Sequence, residues 1–219
     1  MILAVVPAYN EEKKIGRVVR DLFQHGFKVI VIDDGSVDCT SKEAAASGAV
    51  VLKHKINRGQ GAALQTGNDY ALAQGAETVV HFDADGQFNP ADIAPAVKLL
   101  QDQQLDVVLG SRFLDRRSQL PWLKRYVILP VGRLVNFLLT GVWLTDAHNG
   151  FRILSRQALE KIKITQDGMA HNTEILAQLK KQNLKFAETP VEVKYFEYGQ
   201  GIRGGFKILV EWVVGLLIK

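Results

Sequence analysis

The run Val79-Val80-His81-Phe82-Asp83-Ala84-Asp85-Gly86-Gln87 constrains the fold of this chain more than any other stretch. The β-favouring residues at 79–82 read as a buried strand. Two carboxylates one residue apart, a glycine and an amide follow at its carboxyl end. Asn89 is a good N-cap and Pro90 suits a first helical position, so 83–87 lies in a strand-to-helix connection. In open α/β sheets, ligands bind at such strand ends. Alternation points Asp83 and Asp85 to the same side, where adjacent carboxylates repel unless a cation neutralises them. A hard divalent ion, Mg²⁺ or Mn²⁺, bridges such carboxylates to substrate phosphates. Taken alone, the pair also reads as a solvated acidic turn, and the rest of the chain decides.

The same grammar occurs earlier. Residues 2–6 are continuously apolar, as in a strand covered on both faces of a parallel sheet. Pro7 is expected to end that strand and Asn10 to cap a helix with Glu11 and Glu12 in its first turn. Ile15, Val18, Val19, Leu22 and Phe23 then recur at helical spacing. A second strand at 28–32 ends in Asp33-Asp34-Gly35-Ser36-Val37-Asp38, with Ser36 as a cap before a small-residue helix at 43–46. An Asp at this place in a nucleotide-binding α/β fold hydrogen-bonds a ribose or a base N–H. Residues 7–12 contain no glycine, which argues against the G-x-G-x-x-G turn of a nicotinamide dehydrogenase. A third strand at 50–53 precedes Asn57-Arg58-Gly59-Gln60-Gly61, whose glycines permit close backbone approach to a ligand. No Lys-Ser or Lys-Thr pair follows, so this is not a P-loop.

A helix at 90–101 leads to a strand at 106–109 and then to Gly110-Ser111-Arg112-Phe113. That sequence suits either an anion-binding nest or a surface arginine after a turn. The character changes at residues 120–144, where Trp122, Tyr126, Phe137 and Trp143 are mixed with Lys124, Arg125 and Arg133. This composition fits an interfacial helix pair broken at Pro130 and lying on a membrane, or a core helix with snorkelling arginines. Asp146 and His148 resemble an acid/base pair, though a helix end with Gly150 as turn residue needs neither. A strand at 151–154, a helix at 169–181 and a strand at 186–195 interrupted by Pro190 follow. Residues 199–205 form a glycine-rich basic loop of the kind that closes over phosphate. The apolar run at 208–218 is shorter than the roughly 20 residues a spanning helix needs, so it packs on the domain or rests on a bilayer.

With 219 residues, 47% of them hydrophobic and 23% charged, the chain has the makings of one substantial α/β domain. The formal charge of +4 comes without basic stretches interleaved with aromatics, which argues against a nucleic-acid partner. Cys39 is the only cysteine, so no internal disulfide forms and a reducing compartment fits. Before residue 7 there is neither a basic n-region nor a small-residue cleavage site, so the start reads as a strand and not a signal peptide.

The motifs Val6-Pro7-Ala8-Tyr9-Asn10-Glu11-Glu12, Asp33-Asp34-Gly35-Ser36-Val37-Asp38, Asn57-Arg58-Gly59-Gln60-Gly61, Asp83-Ala84-Asp85-Gly86-Gln87, Gly110-Ser111-Arg112-Phe113 and Asn149-Gly150-Phe151-Arg152 occur in that order. With them the chain resembles the family 2 glycosyltransferases, above all dolichyl-phosphate mannosyltransferases and related polyprenyl-phosphate glycosyltransferases, over residues 2–205. The resemblance implies an α/β GT-A fold, a nucleotide-binding, mostly parallel twisted sheet flanked by helices. It implies a single domain over 1–219 with an amphipathic excursion at 120–145 and an apolar C-terminal segment at 206–219. The implied reaction moves a sugar, with inversion and with Mg²⁺ or Mn²⁺, from a GDP- or UDP-sugar to a polyprenyl or dolichyl phosphate. The implied place is the cytoplasmic side, peripheral on the inner membrane face. Carried over residue by residue, Pro7, Tyr9, Glu11, Asp33, Asp34, Asn57 and Gly61 would hold the nucleotide-sugar, and Asp83, Asp85 and Gln87 the metal. Ser111, Arg112, Arg125 and Arg133 would meet the acceptor phosphate, with Arg112 also catalytic and Arg203 on the closing loop. If the acceptor were instead a sugar hydroxyl, as in cell-envelope polysaccharide synthesis, a base would be needed and Asp146 is the candidate. Phe82-Asp83-Ala84-Asp85-Gly86 also mimics the nucleophile strand of haloacid-dehalogenase-like phosphatases, but Gln87 stands where those carry threonine.

Overall fold

The computed structural model describes residues 1–115, 117, 129–146 and 149–194. In chain order its elements are β1 (Ile2–Ala8), α1 (Ile15–Gln24), β2 (Lys28–Asp33), α2 (Thr40–Ala46), β3 (Val50–Lys53), α3 (Gln60–Ala73) and β4 (Thr78–His81). A 3-10 turn at Pro90–Asp92 then leads into α4 (Ile93–Asp102) and β5 (Val107–Ser111). The remainder comprises α5 (Leu129–Thr140), β6 (Arg152–Ser155), α6 (Arg156–Lys161), α7 (His171–Lys181) and β7 (Phe186–Pro190). Seven strands form one sheet in the order β3-β2-β1-β4-β6-β5-β7. All neighbours are parallel except β6, which runs antiparallel between β4 and β5. The expected layered α/β architecture, mostly parallel and flanked by helices, is therefore present.

Alternation along the strands divides the core in two. Val6, Val31 and Phe151 pack with Val19 and Leu22 of α1 and Ile93 of α4 on one face. Val5, Ile32 and Val79 pack with Leu64 of α3, Leu159 of α6 and Leu176 of α7 on the other. Apolar burial on both faces explains why these strands read as continuous hydrophobic runs. α3 approaches the sheet closely because Gly67 has no side chain: a Cβ there would lie 2.3 Å from Val5 Cγ1.

Several boundaries depart from the sequence reading. β1 does not stop at Pro7 but pairs with β2 through Pro7↔Ile32 and Ala8↔Asp33. Val5 O accepts from Phe82 N (3.1 Å) and Ala8 O from Asp34 N (2.8 Å), so odd positions of β1 face β4 and even ones face β2. Pro7 thus lacks its N–H on the β4 side, where the ladder has already ended at Val5↔His81. Asn10 does not cap α1. It takes a left-handed φ of 55°, and its Oδ1 accepts from Val37 N (3.1 Å). Ser36 does not cap α2 either, because its Oγ accepts from Asn10 N (2.9 Å). These bonds stitch the loops after β1 and β2 into one rim. Asn89 does cap, accepting from Ala91 N (3.1 Å). Pro130 lies in the first turn of α5, where its missing N–H costs nothing. The short helix α6, capped by Ser155 through Ala158 N, was not anticipated.

Candidate active site

The carboxyl ends of the adjacent strands β2, β1 and β4 open onto a cleft of about 370 Å³. Its walls include Pro7, Tyr9, Glu11, Asp34, Asn57, Asp83 and Asp85, all singled out from the sequence, together with Gly59 and Gln60. Asp34 is held in place by the loop that follows β3. Its Oδ1 accepts from His54 Nδ1 (2.7 Å) and Arg58 N (3.0 Å), and its Oδ2 from Gly59 N (2.6 Å). Asp33, by contrast, turns inward and is fully buried. Burial works to raise its pKa, but hydrogen bonds from Ser36 and Ser41 and the charge of Lys53 prevail and hold it below the usual carboxylate value. Of the Asp33/Asp34 pair, only Asp34 faces the cleft, and Asp33 ties down the rim.

Gly61 is also absent from the wall. Its N–H donates to Asp167 O (2.8 Å), and a Cβ on it would lie 2.0 Å from Gln166 O. The close approach that this glycine permits is to the chain's own 166–168 loop, not to a ligand. The same carbonyl accepts from Ala62 N (3.4 Å) and so occupies the amino end of α3. Arg58 pairs with Asp167 at 3.5 Å.

Asp83 and Asp85 stand at the end of the cleft next to β4. Burial and the charge of Asp85 push the Asp83 carboxyl up to about 6, against the opposing pull of Arg152 and of the bond from Gln60. Burial likewise raises Asp85, although its Oδ1 accepts from Gln87 N (2.9 Å). Two carboxylates crowded and partly dehydrated in this way are an oxygen donor set suited to a hard divalent ion. Among the described residues no group of three or more His, Cys, Asp or Glu converges on one point. The set therefore fits an ion that takes its other ligands from water and phosphate, as Mg²⁺ commonly does. Gln87 is not on the cleft wall, and its carbonyl accepts from Lys194 N (2.9 Å). Gln60 donates to Asp83 Oδ1 at 2.9 Å, a contact that sequence reasoning missed although Gln60 lies inside a quoted motif.

A second polar cluster surrounds the turn at 144–146. Arg112 donates from Nε and Nη2 to the two oxygens of Asp146, each at 2.6 Å. Asp146 also accepts from Arg112 N (3.1 Å) and Asn149 Nδ2 (3.2 Å). Glu188 of β7 pins the turn, accepting from Thr145 N (2.9 Å), Thr145 Oγ1 (2.7 Å) and Asp146 N (3.1 Å). Ser111 Oγ lies 2.6 Å from Thr145 Oγ1, and Arg133 Nε donates to Leu144 O (2.9 Å). Ser111, Arg112 and Arg133 are thus brought together, but around Asp146 and not around an open nucleophile. Asp146 is buried and takes four donors, which ill suits the role of a free general base. The positioning role of Glu188 carried no local signal in the sequence. Arg125, Arg203 and His148 lie outside the described residues. The two clusters meet at Asn149-Gly150: Asn149 bonds Asp146, and a Cβ on Gly150 would lie 2.7 Å from Asp83 Oδ2.

A family model, "Glycosyl transferase family 2", matches residues 3–163. The chain belongs to that family. Among curated relatives, the UDP-N-acetylglucosamine–dolichyl-phosphate N-acetylglucosaminyltransferase of Methanococcus voltae is 33% identical over 95% of this chain and 93% of its own length. The polyprenol monophosphomannose synthase of Mycolicibacterium smegmatis is 29% identical over 91% of this chain and 79% of its own. Among solved structures, glucosyl-3-phosphoglycerate synthase from Mycobacterium tuberculosis superposes with a TM-score of 0.71 at 23% identity, covering 94% of this chain and 75% of that one. The same enzyme has been solved with Mn²⁺ and uridine diphosphate. The sheet is thus the GT-A sheet of a family 2 glycosyl transferase. The expected family and fold both stand, and the phosphatase reading falls with them.

Proposed function

We propose that this glycosyltransferase moves a sugar from a nucleoside-diphosphate-sugar to a polyprenyl or dolichyl-type phosphate, with inversion at the anomeric carbon. The observation that carries this reading is the cleft that gathers Tyr9, Glu11, Asp34 and Asn57 together with Asp83 and Asp85 at three adjacent strand ends. The relatives named for dolichyl-phosphate and polyprenol chemistry, aligned over nearly the whole chain, supply the acceptor class. On this reading Tyr9 and Asp34 flank the nucleoside, and Asp83 and Asp85 would hold a divalent metal, which would supply positive charge to offset that of the diphosphate. An acceptor phosphate is already an anion at neutral pH. Its oxygen bonds the anomeric carbon as the bond from that carbon to the diphosphate oxygen breaks, and the nucleoside diphosphate leaves. No proton has to be removed, so the chain's own work is positioning and charge stabilisation. An Asp146 saturated by donors is consistent with this, and Arg112, held rigid by it, would meet the acceptor or the developing negative charge.

The acceptor places the reaction at a membrane surface. No helix among the described residues is long and apolar enough to cross a bilayer. Near the Arg112 cluster, however, α5 and the following turn expose Leu134, Phe137, Leu138 and Trp143, with Arg133 stacked 5.6 Å from the Trp143 ring. Aromatic and aliphatic exposure beside a cation suits peripheral docking on headgroups. The test is to incubate the protein with labelled GDP-, UDP- and dTDP-sugars, polyprenyl phosphate and Mg²⁺ or Mn²⁺. Label extracted into the organic phase from one donor supports the reading and names the sugar; donors that bind without reaching lipid refute the acceptor.

A further inference from the structure

The buried side-chain polar atoms that lack a hydrogen-bond partner gather in one place among the described residues: Asn68 Nδ2, His81 Nδ1, and Nε and Nη1 of Arg152. His81 of β4 and Arg152 of β6 oppose each other in the antiparallel ladder. His81 Nε2 lies 2.8 Å from Asn68 Oδ1 on α3. An amide oxygen only accepts, so Nε2 carries the hydrogen and Nδ1 presents a lone pair. The cluster therefore offers donors from Asn68 and Arg152 and one acceptor from His81. Burial, Arg152 and His171 together hold His81 well below its ordinary pKa, and so neutral.

A guanidinium only 1% exposed is an expensive thing to bury without an ion-pair partner. Arg152 donates from Nη2 to Asn172 Oδ1, and its diagonal neighbour across the β4–β6 ladder, one same-face position past His81, is Asp83. Asp83 lies two residues beyond His81 in sequence and rests against Gly150, two residues before Arg152. Interiors meet orphaned polar atoms of this density with ordered water, each molecule making about three hydrogen bonds. Substrate does not reach Arg152 directly, because the residue is sealed from solvent.

We propose that Arg152 is a positioning residue for Asp83, acting through buried water that it shares with His81 and Asn68. Gln60 restrains one oxygen of that carboxylate from the cleft, Gly150 leaves room for the other, and Arg152 restrains it from within the sheet. This rests on the reading of Asp83 as a metal-binding group. It assigns to Asn149-Gly150-Phe151-Arg152 a task beyond turning the chain: β6 is the floor on which the acidic loop is set.

The experiment is Mn²⁺ titration by electron paramagnetic resonance in the presence of UDP or GDP, with thermal unfolding measured alongside, on the wild type, Arg152→Met and Arg152→Lys. Measured well above the Asp83 pKa, where losing a cation that lowers it still leaves the carboxylate ionised, electrostatics alone would make Arg152→Met bind Mn²⁺ more tightly. Loss of positioning has the opposite sign. Mn²⁺ affinity should fall about tenfold in Arg152→Met, as for other residues that orient metal ligands, with partial recovery in Arg152→Lys. A folded Arg152→Met that binds Mn²⁺ as well as or better than wild type overturns the inference. Asn172→Ala deletes the anchor of the guanidinium, together with the bond from Asn172 Nδ2 to Met169 O, and decides the matter if Arg152→Met does not fold: weaker Mn²⁺ binding upholds the proposal and unchanged binding refutes it. Failure of the wild type to bind Mn²⁺ with either nucleotide would instead strike the metal reading itself, and this inference with it. A crystal structure with no ordered water among the four atoms would also contradict it.

Discussion

At Asp83 the requirements of folding and of chemistry oppose each other. Burial and Asp85 raise its carboxyl to about 6 from an ordinary 3.8. A folded-state pKa above the unfolded one stabilises the protein fully below the unfolded value and loses that contribution as pH rises through the folded one. At pH 7.5 the ionised, metal-free carboxylate therefore weakens the fold, by on the order of 1–3 kcal/mol. Asp83→Asn should accordingly raise the unfolding temperature of the metal-free protein at pH 7.5 by a few degrees, with the gain shrinking toward pH 5. On the proposed metal reading, added Mg²⁺ or Mn²⁺ should stabilise the wild type and not this variant. Thermal scans at the two pH values check this, and an equal or lower midpoint for Asp83→Asn at pH 7.5 contradicts it. The acidic pair was legible in the sequence because both carboxylates and the glycine turn lie within five residues. Arg152 was not, since its relation to Asp83 depends on which strand lies beside β4, and nothing local to residue 152 specifies that.

Individual elements carry the same lesson at longer range. β1, β2, β3 and β4 were readable because each apolar run is bounded by its own turn chemistry, and consecutive parallel strands with helical crossovers need little else. Gly61 misled the reading for the opposite reason: a glycine before a helix looks like a ligand contact until the 166–168 loop, a hundred residues later, is seen to fill the space. Gly67 in α3 makes the same kind of demand. A Cβ there would stand 2.3 Å from Val5 Cγ1 and 2.8 Å from Ile32 Cδ1. Gly67→Ala should lower stability by about 1–3 kcal/mol through overpacking, despite its better helix propensity. Urea unfolding measures this, and a neutral or stabilising outcome would mean that α3 sits farther from β1 than described. The turn at 144–146 makes a catalytic prediction. Asp146→Asn removes one charge from the grip on Arg112 and should slow transfer about tenfold or more while leaving the shape of the pH–rate profile unchanged. Loss of a titrating limb in that profile would identify Asp146 as a base after all.

Over the whole molecule, the acidic cleft and the Arg112 cluster are separate constructions joined by one short segment. β1, β2 and β4 build the first; β5, β7 and the turn after α5 build the second; Asn149-Gly150, just before β6, touches both. On the proposed reading, that arrangement would bring a diphosphate at the acidic pair toward an acceptor phosphate at Arg112, a nucleophile that needs no base. The most direct measurement compares polyprenyl phosphate with the corresponding polyprenol as acceptors, using one labelled nucleotide-sugar donor and the same metal. Label is expected in the phosphate-linked lipid and none in the polyprenol, because only the phosphate brings its own anionic nucleophile. Comparable transfer to the free alcohol would contradict the phosphate-acceptor reading and would require a proton acceptor.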